Sequence, residues 1–448
     1  MLATISLEMG GKSNMKIYAL MIMMCVMFVL GGCSPSLNTG ENAGTKVGTN
    51  SSTNKEGSNT APQSTIDGTE SEGPEPTEPT DAVKELLKGM STAEKIGQLV
   101  VVGMEGTIIN EDSRKFIEDY HIGGFIFYKD NIENTKQALT LFNDLKSSNV
   151  VNKVPLWMSV DEEGGRVTRM PKEFLKLPTN KAIGKKNDTK LSNEIGQVLG
   201  RELQGFGLNM DFAPVLDINS NLNNPVIGDR SFGNQAKLVS SLGIATMKGI
   251  ESQGVVPAIK HFPGHGDTSV DSHIGLPVVE NGLERLRKLE LVPFQDAINE
   301  HAEVVMIAHI LMPKVDPDAP ASLSKKVISD ILRDELGFNG IVMTDDMTMG
   351  AIGENYDLEK ASVQAILAGT NIVLVGHDAQ KGRSAIQALT DAVNNGKISE
   401  GLLDSRVYTI LKIKEKYGLT NEHANGPDVQ SLNSDIQQIL NKVGKGNK

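Results

Sequence analysis

Two acidic residues end the apolar run Gly340-Ile341-Val342-Met343-Thr344-Asp345-Asp346, which has the length and composition of a buried β-strand. The same order, an apolar run followed by charged or polar side chains, recurs along the chain. Further runs of this kind lie at 156–160 before Asp161-Glu162-Glu163, at 256–260 with Lys260 and then His261, at 304–308 before His309, and at 372–375 before His377-Asp378. Reactive side chains are therefore expected where successive strands end.

Three more apolar runs, at 99–103, 124–128 and 210–214, complete a set of eight predicted strands. Helical patterns separate the strands, and Ser91-Thr92-Ala93-Glu94 is a capping box that predicts the start of one helix. The other helices are predicted at 135–147, 193–204, 283–300, 358–368, 385–394 and 402–417.

This alternation fits either a (β/α)8 barrel or a doubly wound sheet. In a barrel, the C-terminal ends of all the strands meet on one face, which would bring the reactive side chains together. No Gly-x-Gly-x-x-Gly fingerprint follows any of the predicted strands. We therefore predict an α/β fold of the (β/α)8 TIM-barrel type, as a single catalytic domain.

Composition divides the chain into four parts. Residues 33–81 are rich in Ser, Thr, Asn, Gly, Pro and Glu, which predicts a disordered, acidic linker. We assign residues 1–32 to a signal peptide and residues 82–420 to the barrel domain, and we expect no second folded domain after it. Residues 421–448 are expected to be a polar tail.

The N-terminal segment has the pattern of an export signal. A basic Met15-Lys16 precedes an apolar run at 17–30, and Leu30-Gly31-Gly32-Cys33 resembles a bacterial lipobox. Cleavage before Cys33 and lipidation of its sulfur would anchor the protein on the extracytoplasmic face of the bacterial membrane. The alternative is a plain transmembrane anchor, although the apolar run is shorter than the ~20 residues that a span needs.

Charge and cysteine content exclude other classes. The formal net charge is −12, which argues against a nucleic-acid partner. Cys25 and Cys33, the two cysteines, both precede the predicted barrel, so a disulfide framework or a cysteine metal site within the barrel is excluded. We expect a monomer with no cofactor and no bound metal.

The segment 260–273 concentrates three histidines, two aspartates and a lysine at a strand end and in the following loop. Two chemistries compete for it: a zinc site with His and Asp ligands, or acid/base catalysis by a histidine that a carboxylate orients. The zinc interpretation is weakened by the Gly, Pro and Ser content, which predicts a mobile loop, and by the absence of a helical His-x-x-x-His pattern.

Asp345 and Asp346 offer carboxylates at the end of another strand. In retaining glycoside hydrolysis one carboxylate attacks the anomeric carbon while a second group protonates the leaving oxygen, and a histidine could be that second group. For Asp346 the alternative is a helix cap. The acids and arginines of 161–169 and 223–233 could bind sugar hydroxyls, although ordinary salt bridges between loops would give the same pattern.

These motifs resemble those of the β-N-acetylglucosaminidases of glycoside hydrolase family 3. The resemblance covers roughly residues 91–417 and is carried by Lys-His-Phe-Pro-Gly-His-Gly-Asp-Thr at 260–268, Asp271-Ser272-His273, Asp161-x-Glu163-Gly164-Gly165-Arg166-Val167, and Thr344-Asp345-Asp346-Met347. It implies that Asp345 is the nucleophile, His273 the general acid/base and Asp271 its dyad partner. It also implies a set of sugar-binding residues, namely Asp161, Arg169, Arg230, Lys260 and His261, and a loop-shaping role for His265 and Asp267.

Many relatives carry a further C-terminal domain, and in the β-glucosidases of the family a glutamate outside the barrel is the acid. We expect no such domain here, so the acid would come from the barrel, in agreement with the Asp271/His273 dyad.

The predicted function is exo-acting, retaining removal of terminal β-linked N-acetylglucosamine (GlcNAc) from cell-wall peptidoglycan fragments or muropeptides. The alternatives are a phosphorylase that passes the sugar to phosphate, a metal-dependent hydrolase, and a wall-binding lipoprotein without catalysis.

Overall fold

Eight parallel strands form a closed barrel in which each strand pairs with the next and β8 pairs with β1. The computed structural model describes residues 81–444. The strands are β1 Val100–Gly103, β2 Gly124–Phe127, β3 Trp157–Val160, β4 Met210–Asp211, β5 Val256–Phe262, β6 Val304–Ile307, β7 Ile341–Asp346 and β8 Ile372–Val375. All eight coincide with predicted strands, so the prediction of a (β/α)8 barrel is confirmed.

Helices surround the barrel and connect its strands. They are α1 Ala82–Lys88, α2 Thr92–Gln98, α3 Glu111–Glu118, α4 Thr135–Ser148, α5 Asn180–Lys186, α6 Thr189–Phe206, α7 Ala236–Glu251, α8 Leu283–Lys288, α9 Val292–Asn299, α10 Gly350–Gly353, α11 Leu358–Ala368, α12 Ala379–Asn394, α13 Glu400–Lys416 and α14 Val429–Gly444. Residues Lys326–Glu335 form a π-helix between β6 and β7.

Burial of both faces explains the composition of the strands. Every residue of β2, β3, β6 and β8 is buried, because one face of the sheet fills the barrel and the other contacts the helices. The predicted capping box is present: the Ser91 hydroxyl accepts from Glu94 N at 3.2 Å, and the Glu94 carboxylate accepts from Ser91 N at 2.7 Å.

Two predictions about helices are wrong. The helix expected over 283–300 is two helices, α8 and α9, because Pro293 has no N–H to donate and starts a new helix. The expected polar tail contains α14, whose Leu432, Ile436 and Ile439 are buried. Their spacing of four and three residues places them on one helix face, a pattern that the polar composition of the segment concealed.

The signal peptide, the lipidated Cys33 and the linker up to residue 80 lie outside the described residues, so these assignments stay predictions. No helix within 81–444 is long and apolar enough to cross a bilayer.

Candidate active site

A cavity of about 560 Å³ opens at the C-terminal ends of the strands. All eight residues predicted to catalyse or bind sugar line this cavity, namely Asp161, Arg169, Arg230, Lys260, His261, Asp271, His273 and Asp345. They come from β5, β7 and the loops that follow β3, β4 and β5. The barrel therefore brings together side chains that are far apart in the sequence, as the prediction requires.

Buried ion pairs form the β3–β5 side of the cavity. The Lys260 ammonium lies 2.7 Å from Asp161 Oδ1 and 2.7 Å from Glu163 Oε1, and only 1% of the Lys260 side chain is exposed. Arg230 donates two hydrogen bonds to Glu163, at 2.6 and 2.8 Å, and Arg169 donates to Asp161 at 3.1 Å. Burial favours the neutral form of Glu163, but Arg230 and Lys260 outweigh it and hold its pKa well below the usual value. This side of the cavity is therefore charged and rigid.

Asp217 organises the histidines at the end of β5. Its carboxylate bonds His261 Nδ1 at 2.6 Å and accepts from the backbone N–H of His265 at 2.6 Å. His265 in turn bonds Thr268 Oγ1 through Nδ1 and Ser272 Oγ through Nε2, at 2.8 and 3.3 Å. Burial and the neighbouring His261 lower the pKa of His265 to about 4, so its imidazole is neutral near pH 7. As expected, His265 shapes the loop after β5.

Asp267 also ties this loop to its surroundings, because it accepts hydrogen bonds from Ser220 Oγ and from Asn281 Nδ2.

The loop after β5 carries His273 across to α10, the short helix that follows β7. Asp271 Oδ1 lies 2.8 Å from His273 Nδ1, and the Ser272 carbonyl accepts from Ala351 N at 2.9 Å. A Cβ atom at Gly350 would lie 2.7 Å from the His273 carbonyl oxygen, so only glycine allows this close approach. The His273 side chain is 66% exposed. The loop therefore packs against the helix that follows β7, and Asp271, His273 and Asp345 line the same cavity.

Asp345 and Asp346 both line the cavity, and Asp346 also joins three strand ends. Asp346 accepts from Gly376 N at 2.8 Å, and its other oxygen contacts His377 Nδ1 at 2.9 Å and Tyr128 Oη at 3.3 Å. Helix α10 begins only at Gly350, with Met349 at its N-cap. The helix-cap interpretation of Asp346 is therefore wrong, and its carboxylate holds the ends of β7, β8 and β2 together.

The geometry gives no support to the zinc interpretation of 260–273. Within residues 81–444, no three His, Cys, Asp or Glu side chains are grouped as a metal ion would require. The ring nitrogens of His265 and the Nδ1 atoms of His261 and His273 are engaged by neighbouring side chains.

Several residues of the site were missed at the level of sequence. Asp217 follows the predicted strand 210–214 by three residues, and Tyr128 and His377 lie at strand ends that were recognised. Glu163 belongs to a quoted motif but was not assigned to the site. These residues could have been predicted from the rule that polar residues at strand ends face the cavity, if the rule is applied to every strand.

Comparisons with known proteins agree with this geometry. Residues 91–413 match the model of the glycosyl hydrolase family 3 N-terminal domain. The chain is 35% identical over 335 residues to β-hexosaminidase A of Pseudoalteromonas piscicida, which covers 69% of this chain and 56% of that protein. It is 32% identical over 325 residues to a β-hexosaminidase of Nitrosomonas eutropha, which covers 70% of this chain and 92% of that relative.

Among solved structures, a family 3 β-N-acetylglucosaminidase from Paenibacillus sp. str. FPU-7 superposes with a TM-score of 0.75 and 40% identity, over 79% of this chain and 69% of that one. The chain spans about half the length of the Pseudoalteromonas relative, 56%, and nearly the whole of the Nitrosomonas one. The family match, the barrel and the cavity together show that this chain belongs to glycosyl hydrolase family 3 and is a glycoside hydrolase.

Proposed function

We propose that this enzyme is an exo-acting, retaining β-N-acetylglucosaminidase that removes terminal β-linked GlcNAc from peptidoglycan fragments. The observation that carries the proposal is the Asp271/His273 pair, which the loop after β5 presents over the cavity that Asp345 also lines. The similarity to proteins named β-hexosaminidase and β-N-acetylglucosaminidase supports the choice of sugar.

In the first step the Asp345 carboxylate attacks the anomeric carbon while His273 donates a proton to the glycosidic oxygen, so the bond to the leaving group breaks. In the second step His273 takes a proton from water, and the water oxygen displaces Asp345 from the sugar. Asp271 contacts His273 Nδ1, which leaves Nε2 as the atom that exchanges the proton. Asp271 stabilises the imidazolium that forms when His273 takes up that proton.

The sugar-binding role belongs to the ion-paired side of the cavity. Asp161, Arg169, Arg230, Lys260 and His261 line it, and their mutual salt bridges fix the side chains before the sugar arrives. Charged donors and acceptors at fixed positions suit the hydroxyl groups of a terminal sugar. This supports exo action, because the buried ion pairs close that side of the cavity.

The test is turnover by the full chain on nitrophenyl β-GlcNAc and nitrophenyl β-glucoside, each with and without phosphate and with EDTA. We expect activity on the GlcNAc substrate alone, with no effect of phosphate or EDTA. Acceleration by phosphate would indicate a phosphorylase, and inhibition by EDTA would indicate a metal-dependent enzyme. No activity on either substrate would indicate a binding protein.

Two variants test the assigned roles. Asp345→Asn should abolish turnover and keep sugar binding, since only the covalent step is lost, whereas Asp346→Asn should retain a covalent intermediate. His273→Ala should slow alkyl glycosides more than nitrophenyl glycosides, because a good leaving group needs little protonation. An equal loss on both substrates would contradict the acid role.

We also propose that residues 1–32 direct export, that Cys33 carries the lipid anchor, and that residues 33–81 link it to the barrel domain. Support comes from the Leu30-Gly31-Gly32-Cys33 motif. The full chain should fractionate with membranes, and Cys33→Ala should release it; membrane retention of the variant would contradict lipid anchoring.

A further inference from the structure

The positive charges that line the catalytic cavity differ in their partners. Four of the five Lys and Arg residues there form ion pairs: Arg166 with Asp229, Arg169 with Asp161, Arg230 with Glu163, and Lys260 with Asp161 and Glu163. The fifth, Lys381, forms no ion pair with any residue between 81 and 444. Its ammonium is therefore available to a ligand.

Lys381 lies in the first turn of α12, beside His377. The Asp346 hydrogen bond raises the pKa of His377, while the nearby Lys381 ammonium opposes that rise. The His377 ring is also held by Tyr128, with the ring centroids 4.4 Å apart. The His377 Nδ1 contacts Asp346, and its Nε2 has no hydrogen-bond partner among residues 81–444.

The acids near Lys381 have other hydrogen-bond partners, and Asp346, which lines the same cavity, is bonded by Gly376 N and His377. Asp378 accepts from the backbone N–H groups of Gln380 and Lys381 and lines a neighbouring cavity of about 300 Å³, as does Asp130. Neither residue lines the catalytic cavity.

The position of Lys381 matches the expected place of the leaving group. In an eight-stranded closed barrel β3 and β7 are opposite each other, so a sugar bound at Asp161 and Lys260 extends toward Asp345. Asp345 attacks the face of the anomeric carbon opposite the leaving group, so the leaving group departs away from the Asp345 carboxylate, toward the exposed His273 at the cavity mouth. Thr348, the exposed His377 and Lys381 line the same cavity outside its ion-paired side, where they are available to the aglycone.

We propose that Lys381, with His377 beside it, forms an anion-binding subsite for the leaving group, so that the enzyme favours β-GlcNAc glycosides whose aglycone carries a negatively charged group. The proposal rests on the proposed function and adds a specificity residue to it. Free phosphate is the other anion that could occupy this subsite, and the experiment separates the two.

The probes are the disaccharide of GlcNAc β-linked to muramic acid and the same disaccharide with the lactyl carboxyl amidated. The measured quantity is the ratio of kcat/KM for the acid to kcat/KM for the amide. Exposed ion pairs contribute about 0.2–1 kcal/mol, so Lys381→Gln should lower this ratio up to about fivefold, through the acid substrate alone. Lys381→Arg should keep the ratio, and added KCl should lower it in the wild type by screening.

The matched control is Lys397→Gln, which removes an exposed positive charge just beyond the other end of α12 and should leave the ratio unchanged. An unchanged ratio in Lys381→Gln would overturn the proposal. So would acceleration by inorganic phosphate that needs Lys381 and yields GlcNAc 1-phosphate, since phosphate oxygen would then displace Asp345 from the sugar. Failure of the proposed function is seen separately, as no turnover of nitrophenyl β-GlcNAc by the wild type.

Discussion

Glu162 and Glu163 are adjacent in the chain and both are buried, yet their surroundings push their pKa values in opposite directions. Glu163 lies between Arg230 and Lys260, which stabilise its charged form. Glu162 contacts no cationic side chain between residues 81 and 444, and it accepts from Arg169 N, Met170 N and Thr168 Oγ1. Burial raises the pKa of Glu162 to about 7 despite these hydrogen bonds.

Glu162 belongs to a group of buried acids behind the cavity wall. Asp211 on β4 accepts from Glu162 N at 3.0 Å, and Glu202 on α6 lies close enough to sense both charges. Burial raises the pKa of Asp211 and of Glu202, and the charge of Glu162 raises both further, although the hydrogen bond from Glu162 N opposes the rise at Asp211. One oxygen of each of these two carboxyls has no hydrogen-bond partner among the described residues.

The difference shows that burial alone does not determine the charge of an acid in this barrel. Asp161 and Glu163 have Lys and Arg partners that favour their charged form, which suits sugar binding. The acids behind them have no such partners and favour the neutral form. A single peptide unit separates the two environments, because successive side chains at the end of β3 point in opposite directions.

The largest loss of stability is expected from replacing Lys260, the cation that Asp161 and Glu163 share. Lys260→Met would leave Asp161 with Arg169 alone and Glu163 with Arg230 alone, so the pKa of Glu163 should rise toward that of Glu162. Breaking a buried ion pair costs about 3–5 kcal/mol, which denaturant unfolding would measure. The control is Lys360→Met at an exposed pair with Asp357, where the loss should stay below about 1 kcal/mol. If Lys260→Met and Lys360→Met lost similar amounts of stability, the cationic partner of Asp161 and Glu163 would matter no more than an exposed one, contrary to the comparison above.

An intermediate effect is expected in the pH dependence of stability. The pKa of Glu162 is about 7 in the folded state against an ordinary value of 4.5, so between these values the native state binds more protons than the unfolded state. Stability should therefore fall as the pH rises through this window. Glu162→Gln stays neutral and should be more stable than the wild type at pH 8 by on the order of 1–3 kcal/mol, with little difference at pH 4.5.

The control for this pH profile is Glu85→Gln, which removes an exposed acid and should shift stability equally at all pH values in the window. Parallel profiles for the wild type and Glu162→Gln would contradict the assignment of a raised pKa.

A structural feature of this protein could be predicted from the sequence when the residues that determine it are close together in the chain. The apolar run 340–344 and the capping box at Ser91 carry their own signals, and both elements formed as predicted. The density of titratable groups at 260–273 likewise pointed to the cavity. The break at Pro293 and the helix α14 also had local signals, which were overlooked.

The charge states of the buried acids could not be predicted from residues nearby in the chain. Lys260 and its partner Asp161 are 99 residues apart, and His261 and Asp217 are 44 apart. Nothing in the neighbouring residues tells that Glu163 meets two cations while Glu162 meets none, because the barrel creates those contacts. Glu202 was missed for the same reason.

The smallest change in stability is expected from removing one of the hydrogen bonds that Glu162 accepts, since this acid has no cationic partner among residues 81–444. Thr168→Val removes the hydroxyl that donates to Glu162 Oε2 at 2.9 Å and keeps the shape of the side chain. A hydroxyl stabilises the charged carboxylate more than the neutral acid, so the pKa of Glu162 should rise further. The loss of stability should be about 1 kcal/mol at pH 8.5 and smaller at pH 5.5, by denaturant unfolding. Thr140→Val, whose hydroxyl bonds the Lys136 carbonyl on an exposed helix face, should show no such pH dependence. An equal loss of stability at both pH values in Thr168→Val would mean that Glu162 keeps the same charge across this range. The surroundings of Glu162 and Glu163 would then differ less than their contacts indicate.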